Sequence, residues 1–170
     1  MTDILCNNCG KSARIVRGNY PFPECGLSNI TLTGIEIIRC KKCGNDDPII
    51  PKLDDLMTTL AVAVIAKPYR LQGQEVRFLR KYLHKTFDEF ARLLRVDKTT
   101  ISKWENDADA VGEQSDQLIR LYALSLGDGL QSKLKLIVRD EFPKLQLGKK
   151  SPARKVNISI DPTRHSYQYA

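Results

Sequence analysis

Residues 86 to 105 read TFDEFARLLRVDKTTISKWE, and the organisation of the whole chain turns on them. Phe90, Ala91 and Leu94 fall on one side of a first helix, where small Ala91 lets a second helix approach closely. Arg95-Val96-Asp97 interrupts that pattern, with Val96 as an apolar plug for the turn and Asp97 as a side chain suited to capping the next helix. Ile101 and Trp104 then point inward, which leaves Lys98, Thr99, Thr100 and Lys103 facing outward. Short polar and cationic side chains in that position suit a major groove. Thr donates, accepts and touches a thymine methyl, while Lys reaches guanine acceptors or phosphate. The same residues would also serve as an ordinary solvated face.

Working outward, the helical pattern continues on both sides. Helices are expected over 72–83, 86–94, 98–106, 115–126 and 130–141, joined by short connections, which describes a five-helix all-α helix-turn-helix domain over 71–143. Upstream, Leu53, Leu56, Met57, Leu60, Ala61, Val64 and Ile65 recur at helical spacing and Lys67-Pro68 ends the run, so a linker helix is expected within 51–70. Its apolar stripe either packs on its own domain or forms a dimer seam. Beyond 143 the pattern fades into a basic tail, 144–170, expected to be mostly disordered, although Val156, Ile158 and Ile160 alternate like a short strand.

The first 50 residues hold all five cysteines. Cys6-Asn-Asn-Cys9-Gly10 and Cys40-Lys-Lys-Cys43-Gly44 repeat one pattern. Two residues between cysteines let both sulfurs of a tight turn face one ion, and the following glycine permits a backbone in which amides donate to sulfur. Four thiolates favour zinc as the cofactor and leave no open coordination position, so the expected site is structural. Disulfides or a rubredoxin-type iron are the alternatives, and spacing alone does not separate zinc from iron. Cys25 has no second cysteine at that spacing and reads as a free or partly buried thiol. His84 and His165 lie away from both knuckles and read as ordinary helix or surface residues. With β-like runs at 12–17, 28–33 and 34–39, residues 1–50 form an expected zinc-binding domain, too small to rely on its own core. The expected fold class is α+β: a small N-terminal β zinc-ribbon-like domain followed by the five-helix domain.

The segment from about Leu71 to Leu126 resembles the Xre/Cro-type helix-turn-helix family, through Phe90-Ala91, the Val96 turn and Ile101-Ser-Lys-Trp-Glu105-Asn106. The resemblance implies that Thr99 and Lys103 read bases, with Lys98 and Thr100 beside them at base edges or phosphate, and that Asn106 contacts phosphate. It also implies an internal ion pair between Arg80 and Glu105. Two positions depart from it: Phe87 stands where the family often has a DNA-contacting glutamine, and His84 where a turn glycine is common. The paired knuckles ahead of such a domain resemble the MqsA/YgiT-type zinc-knuckle antitoxins, on Cys6, Cys9, Cys40, Cys43, Gly26-Leu-Ser-Asn-Ile-Thr-Leu and Gln74-Glu-Val-Arg-Phe-Leu-Arg-Lys81. That likeness implies a zinc domain that contacts a cognate toxin and a helical domain that binds the operon promoter, a palindromic double-stranded DNA operator, as a homodimer.

Composition narrows the classes. The 170 residues are 42% hydrophobic and 28% charged, which excludes a collagenous, low-complexity or fully disordered chain. The net charge of +7 favours an anionic partner, yet six basic and one acidic side chain in 144–170 supply most of the excess. Met1-Thr-Asp-Ile-Leu5 carries neither a charged leader nor a long apolar run, and the longest apolar stretch falls far short of the roughly 20 residues that span a bilayer. A cytoplasmic protein with no membrane partner is expected. No Gly-rich phosphate loop, HExxH or nucleophile elbow is present and four knuckle thiolates close the metal, so no enzyme is expected. Two functions remain: a sequence-specific DNA-binding autorepressor of antitoxin type, or a protein-interaction module that sequesters a toxin, with DNA binding secondary.

Overall fold

The longest apolar alternation in the N-terminal third, Ile30 to Ile38, sets up the sheet. In the computed structural model, which describes residues 4–147 and 154–170, it forms a single strand rather than two. Ile30 and Leu32 point to the core, but so do Ile35 and Ile37, so the inward parity switches at Gly34. Gly34 has φ +65° and its amide donates to Asn19 Oδ1 at 3.3 Å, beside a register shift in the neighbouring strand. This bulge lets both halves of the strand bury their isoleucines on one face.

The strands are β1 (Ile4–Leu5), β2 (Ser12–Pro21), β3 (Ile30–Arg39), β4 (Asp46–Ile49), β5 (Ile158–Asp161) and β6 (Ser166–Tyr169). One edge of β3 pairs antiparallel with β2. Its other edge carries two partners end to end: β4 runs antiparallel along 36–39, and β5 runs parallel along 30–32. The β5–β6 hairpin therefore comes from the far end of the sequence to complete the sheet.

This corrects the expected architecture. In place of a small zinc-ribbon-like domain followed by a five-helix domain, the described residues form an α+β fold with a six-stranded mixed sheet and six α-helices. The expectation of a mostly disordered tail fails for residues 158–169, because Ile158 and Ile160 are fully buried against β3. Lys149 and Lys150 of that tail lie outside the described residues.

The helices are α1 (Leu53–Ala66), α2 (Gly73–Tyr82), α3 (Phe87–Leu94), α4 (Lys98–Glu105), α5 (Glu113–Leu126) and α6 (Leu134–Asp140). From Thr59 to Ala66 every residue of α1 is buried, so the second half of the helix is enclosed on all sides, whereas Leu53, Asp54 and Asp55 at its start are exposed. It lies between the hairpin β5–β6 and helices α2 and α5, and Tyr169 Oη donates to Ala63 O at 2.7 Å. These contacts cover the second half of α1 from within the chain, while Leu53 stays exposed and Met57 half-buried.

Arg120 on α5 fixes where α1 ends. It is completely buried, pairs with Asp116 and donates to the carbonyls of Ile65, Lys67 (2.7 Å) and Tyr69 (2.7 Å). Ile65 O and Lys67 O are acceptors that the end of α1 leaves without intrahelical partners, and Tyr69 O belongs to the connection that follows. Asp116 in turn accepts from Leu71 N at 2.6 Å. Replacing Arg120 by Met should destabilise the protein by about 3–5 kcal/mol, because Asp116 and three carbonyls are left buried and unpaired. Urea unfolding followed by far-UV circular dichroism measures this, and a change below about 1 kcal/mol would show that the arginine does not fix α1.

Candidate metal centre and nucleic-acid face

The two cysteine knuckles sit at the same end of the sheet, one in the β1–β2 turn and one in the β3–β4 turn. Their backbones match. Gly10 N donates to Cys6 O at 2.9 Å and Cys6 N to Lys11 O at 2.8 Å, while Gly44 N donates to Cys40 O at 3.0 Å and Cys40 N to Asn45 O at 2.9 Å. Both glycines hold left-handed φ angles, +67° and +74°, which a side chain would disfavour.

The pairing of β2 with β3 brings these turns together, so that the sulfurs of Cys6, Cys9, Cys40 and Cys43 all lie within 4.8 Å of one another. Cys6 and Cys43 Sγ are 3.6 Å apart, as are those of Cys9 and Cys40. A tetrahedron with metal–sulfur bonds of about 2.3 Å has edges of about 3.8 Å. The cluster therefore fits a four-coordinate metal ion, with Cys6 and Cys40 buried and Cys43 at the surface. Without metal the thiols share protons unequally. The Asn45 amide, ahead of the neighbouring sulfurs, pulls Cys43 down to about 7. At Cys9 the Lys11 amide also pulls down, but Cys43, burial, Cys40 and Cys6 outweigh it and push the thiol up to about 12. Metal entry displaces the remaining protons, so affinity falls on acidification.

Cys25 stands apart. Its Sγ donates to Phe22 O at 3.0 Å, and burial pushes the thiol up. Neither histidine joins the cysteine cluster. His84 instead holds φ +53° in the turn between α2 and α3, so the conformation a glycine would supply is present with a side chain on it.

The segment 86–105 folds as helix, turn and helix. Thr86 caps α3 in a reciprocal pair with Glu89: Glu89 N donates to Thr86 Oγ1 at 3.3 Å and Thr86 N to Glu89 Oε2 at 2.8 Å. Arg95 closes α3 at φ +55°, and Val96 packs partly buried against the core. Asp97 occupies the N-cap of α4, but its side chain makes no capping hydrogen bond. Phe90, Ala91, Leu94, Ile101 and Trp104 are buried.

The outward residues of α4 lie on one face. Lys98, Thr99, Ser102 and Lys103 are exposed and Thr100 is half-buried. Lys98 Nζ is 3.8 Å from Asp88 and Lys103 Nζ is 3.4 Å from Asp109, both loose surface pairs of little energetic weight. Phe87 is exposed at the start of α3, and the Arg80 guanidinium lies over its ring, 4.2 Å from the centroid. Asn106 ends α4, where its Nδ2 donates to Ser102 O at 2.9 Å and its Oδ1 accepts from Arg77 at 3.1 Å.

Beneath this face, Arg80 Nε donates to the buried Glu105 Oε1 at 2.6 Å and Arg80 Nη2 to Oε2 at 3.1 Å. Two further residues brace the same point and went unread in the sequence. Arg77, one turn before Arg80 on α2, donates to Glu105 Oε2 at 3.2 Å and to Glu105 O at 3.0 Å. Helical spacing from Arg80 would have found it. Gly73 opens α2 directly against the end of α4, where a Cβ would lie 2.4 Å from Trp104 O. No periodicity announces that contact.

No family model matches the chain, and no curated protein or solved structure matches it either.

Two measurements follow from this geometry. Protein loaded with a divalent thiophilic metal should retain one ion per chain after desalting, and Cys40→Ser should lose it; unchanged metal content in that variant would place the metal elsewhere. Gly73→Ala should destabilise the helical part by about 1–3 kcal/mol, since backbone must move to admit a methyl group. A neutral effect in denaturant unfolding would mean that α2 and α4 approach less closely than described.

Proposed function

We propose that the protein is a sequence-specific DNA-binding transcriptional regulator, an autorepressor of antitoxin type, built around a structural zinc site. The observation that carries this reading is the outer face of α4. Lys98, Thr99, Ser102 and Lys103 are exposed together on a helix whose opposite side is locked by Ile101, Trp104 and the buried Glu105. A rigid helix with a polar, cationic outer face is what insertion into a major groove demands. In this reading Thr99 and Lys103 address base edges, and Lys98 and Thr100 address base edges or phosphate. Asn106 is already engaged by Arg77 and Ser102, so its contact to phosphate would use whatever hydrogen-bonding capacity those partners leave.

Zinc is the metal proposed for the four thiolates, because soft ligands in a closed tetrahedron select it over hard cations and leave no position for substrate. Absence of colour together with stoichiometric zinc supports this, and a visible thiolate-to-iron absorption refutes it. A homodimer on a palindromic operator is proposed because two such helices, related by a two-fold axis, read half-sites one helical turn or a multiple of it apart. No described helix is long and apolar enough to cross a membrane.

A footprint on the promoter upstream of the protein's own gene tests the reading. Lys103→Ala should weaken binding to the protected sequence by about 1–3 kcal/mol while changing binding to random duplex much less. Equal loss on both duplexes makes Lys103 a phosphate contact, and no protected sequence at all overturns the regulator reading.

A further inference from the structure

A cleft of about 940 Å³ opens between the loop at 22–26, α1 and α2, away from both the metal cluster and the outer face of α4. Its apolar surface is supplied by Phe22, Ile50, Met57 and Phe78, and Arg77 and Lys81 stand on its α2 wall. A volume of this size falls within the roughly 300–1,000 Å³ of small-molecule sites, which pair an apolar lining with a few placed polar groups.

The charges of the cleft are unequal in availability. Arg77 and Lys81 lie four residues apart on one helix face. Lys81 is exposed, and its ammonium has no hydrogen-bond or ion-pair partner among the described residues. Of the lining acids, Glu24 already accepts from Tyr20 Oη at 2.8 Å, whereas Asp54 and Asp128 come from other elements than α2. All three carboxylates repel an anion, but among the described residues none of them lies within 4 Å of the Arg77 or Lys81 charge, so the α2 wall is where an anionic head would be held. Arg77 also has a second attachment, to Glu105 and Asn106 at the end of α4.

We propose that this cleft binds a small amphiphile with an apolar body and one carboxylate, held at Lys81 and Arg77, and that its occupancy loosens the brace on α4. The carboxylate competes with Glu105 for Arg77, so ligand and α4 are coupled through one side chain. The binding itself is independent of the DNA-binding reading of α4, and only the regulatory consequence rests on that reading.

Isothermal titration of the metal-loaded full chain with decanoate, below its micelle concentration, and with decan-1-ol tests the assignment. Decanoate should bind saturably and at least about tenfold more tightly than the alcohol, the margin expected for a charge-assisted contact. Lys81→Glu should remove that preference with an unchanged circular dichroism spectrum, and Lys81→Arg should retain it. Equal affinity for acid and alcohol, no saturable binding, or full decanoate affinity in Lys81→Glu would each overturn the proposal. Trp104, the one tryptophan of the chain, precedes Glu105 and should shift its emission on saturation; an unmoved spectrum overturns the coupling. Decanoate binding by a chain that protects no promoter sequence removes the regulator reading and leaves the cleft assignment standing. Promoter protection without decanoate binding does the reverse.

Discussion

Arg120 cannot shed its charge, yet it has no exposed surface, so the chain around it must supply both a counter-ion and acceptors. Asp116, one turn earlier on α5, is the counter-ion, and the carbonyls of Ile65, Lys67 and Tyr69 are the acceptors. Because those carbonyls belong to the end of α1 and the connection after it, satisfying one guanidinium fixes three elements at once. A second buried ion pair follows directly. Lys67, at the end of α1, meets Glu75, whose carboxylate also accepts from Gln72 N at 2.8 Å and so caps α2. Burial acts against both charges, lowering Lys67 and raising Glu75, while each partner opposes the other's shift. Two cations and two carboxylates thus sit in the core with no net charge. Such an arrangement adds little to stability over an apolar replacement, but a misplaced helix would strand a buried ion, so it selects this packing over others.

With α1 held in that way, its remaining surface must be covered, and the sheet does so. The β5–β6 hairpin lies along it, tied by Tyr169 Oη to Ala63 O. Burial pushes the Tyr169 phenol up, so it stays a neutral donor at any physiological pH. The sheet is consequently held at two ends by different means. At one end four cysteines gather two turns that have little apolar side chain of their own; at the other, Ile158 and Ile160 fill the space between β3 and α1. Each end lacks what the other has, and the sheet is built from strands of both 4–49 and 158–169.

The local parts of this design were legible in the sequence. The knuckle spacing, the 86–105 pattern and the helical runs depend on residues a few positions apart, and periodicity reports such relations directly. What the sequence hid was long-range. Val156, Ile158 and Ile160 showed a strand's alternation, but the partner strand begins more than a hundred residues earlier and runs parallel, so no turn signal connects them. The strand β3 read as two because Gly34 reverses the parity of its isoleucines, a bulge that alternation alone cannot distinguish from a turn. The stripe on α1 left open a partner outside the chain. The structure covers Leu56 and the residues from Thr59 to Ala66 with the hairpin, α2 and α5, and leaves Leu53 of the stripe exposed. Arg120 and Lys67 carry no sequence signal of their burial, since nothing in their neighbours' spacing marks a charge as buried.

The charge balance also takes on a different meaning. Three cations of the basic C-terminal segment have local partners, Lys144 lying 3.0 Å from Glu141, Arg154 5.2 Å from the Tyr69 ring centroid and Arg164 3.6 Å from Asp161. Arg154 is further tied to the fold through its carbonyl, which accepts from the buried Lys67 Nζ at 3.2 Å, whereas Arg164 stays largely exposed in a loose pair. If α4 enters a groove, its attraction must come from placement, through Lys98 and Lys103, each of which already has an acid nearby in Asp88 and Asp109. Moving a lysine onto phosphate leaves that acid close to the backbone, which costs energy at every site. Because that cost is common to every sequence, the acids lower affinity without discriminating, and net binding then requires the base contacts that only the right sequence supplies. A near-neutral recognition face is therefore compatible with a DNA reader that relies on base contacts more than on bulk charge.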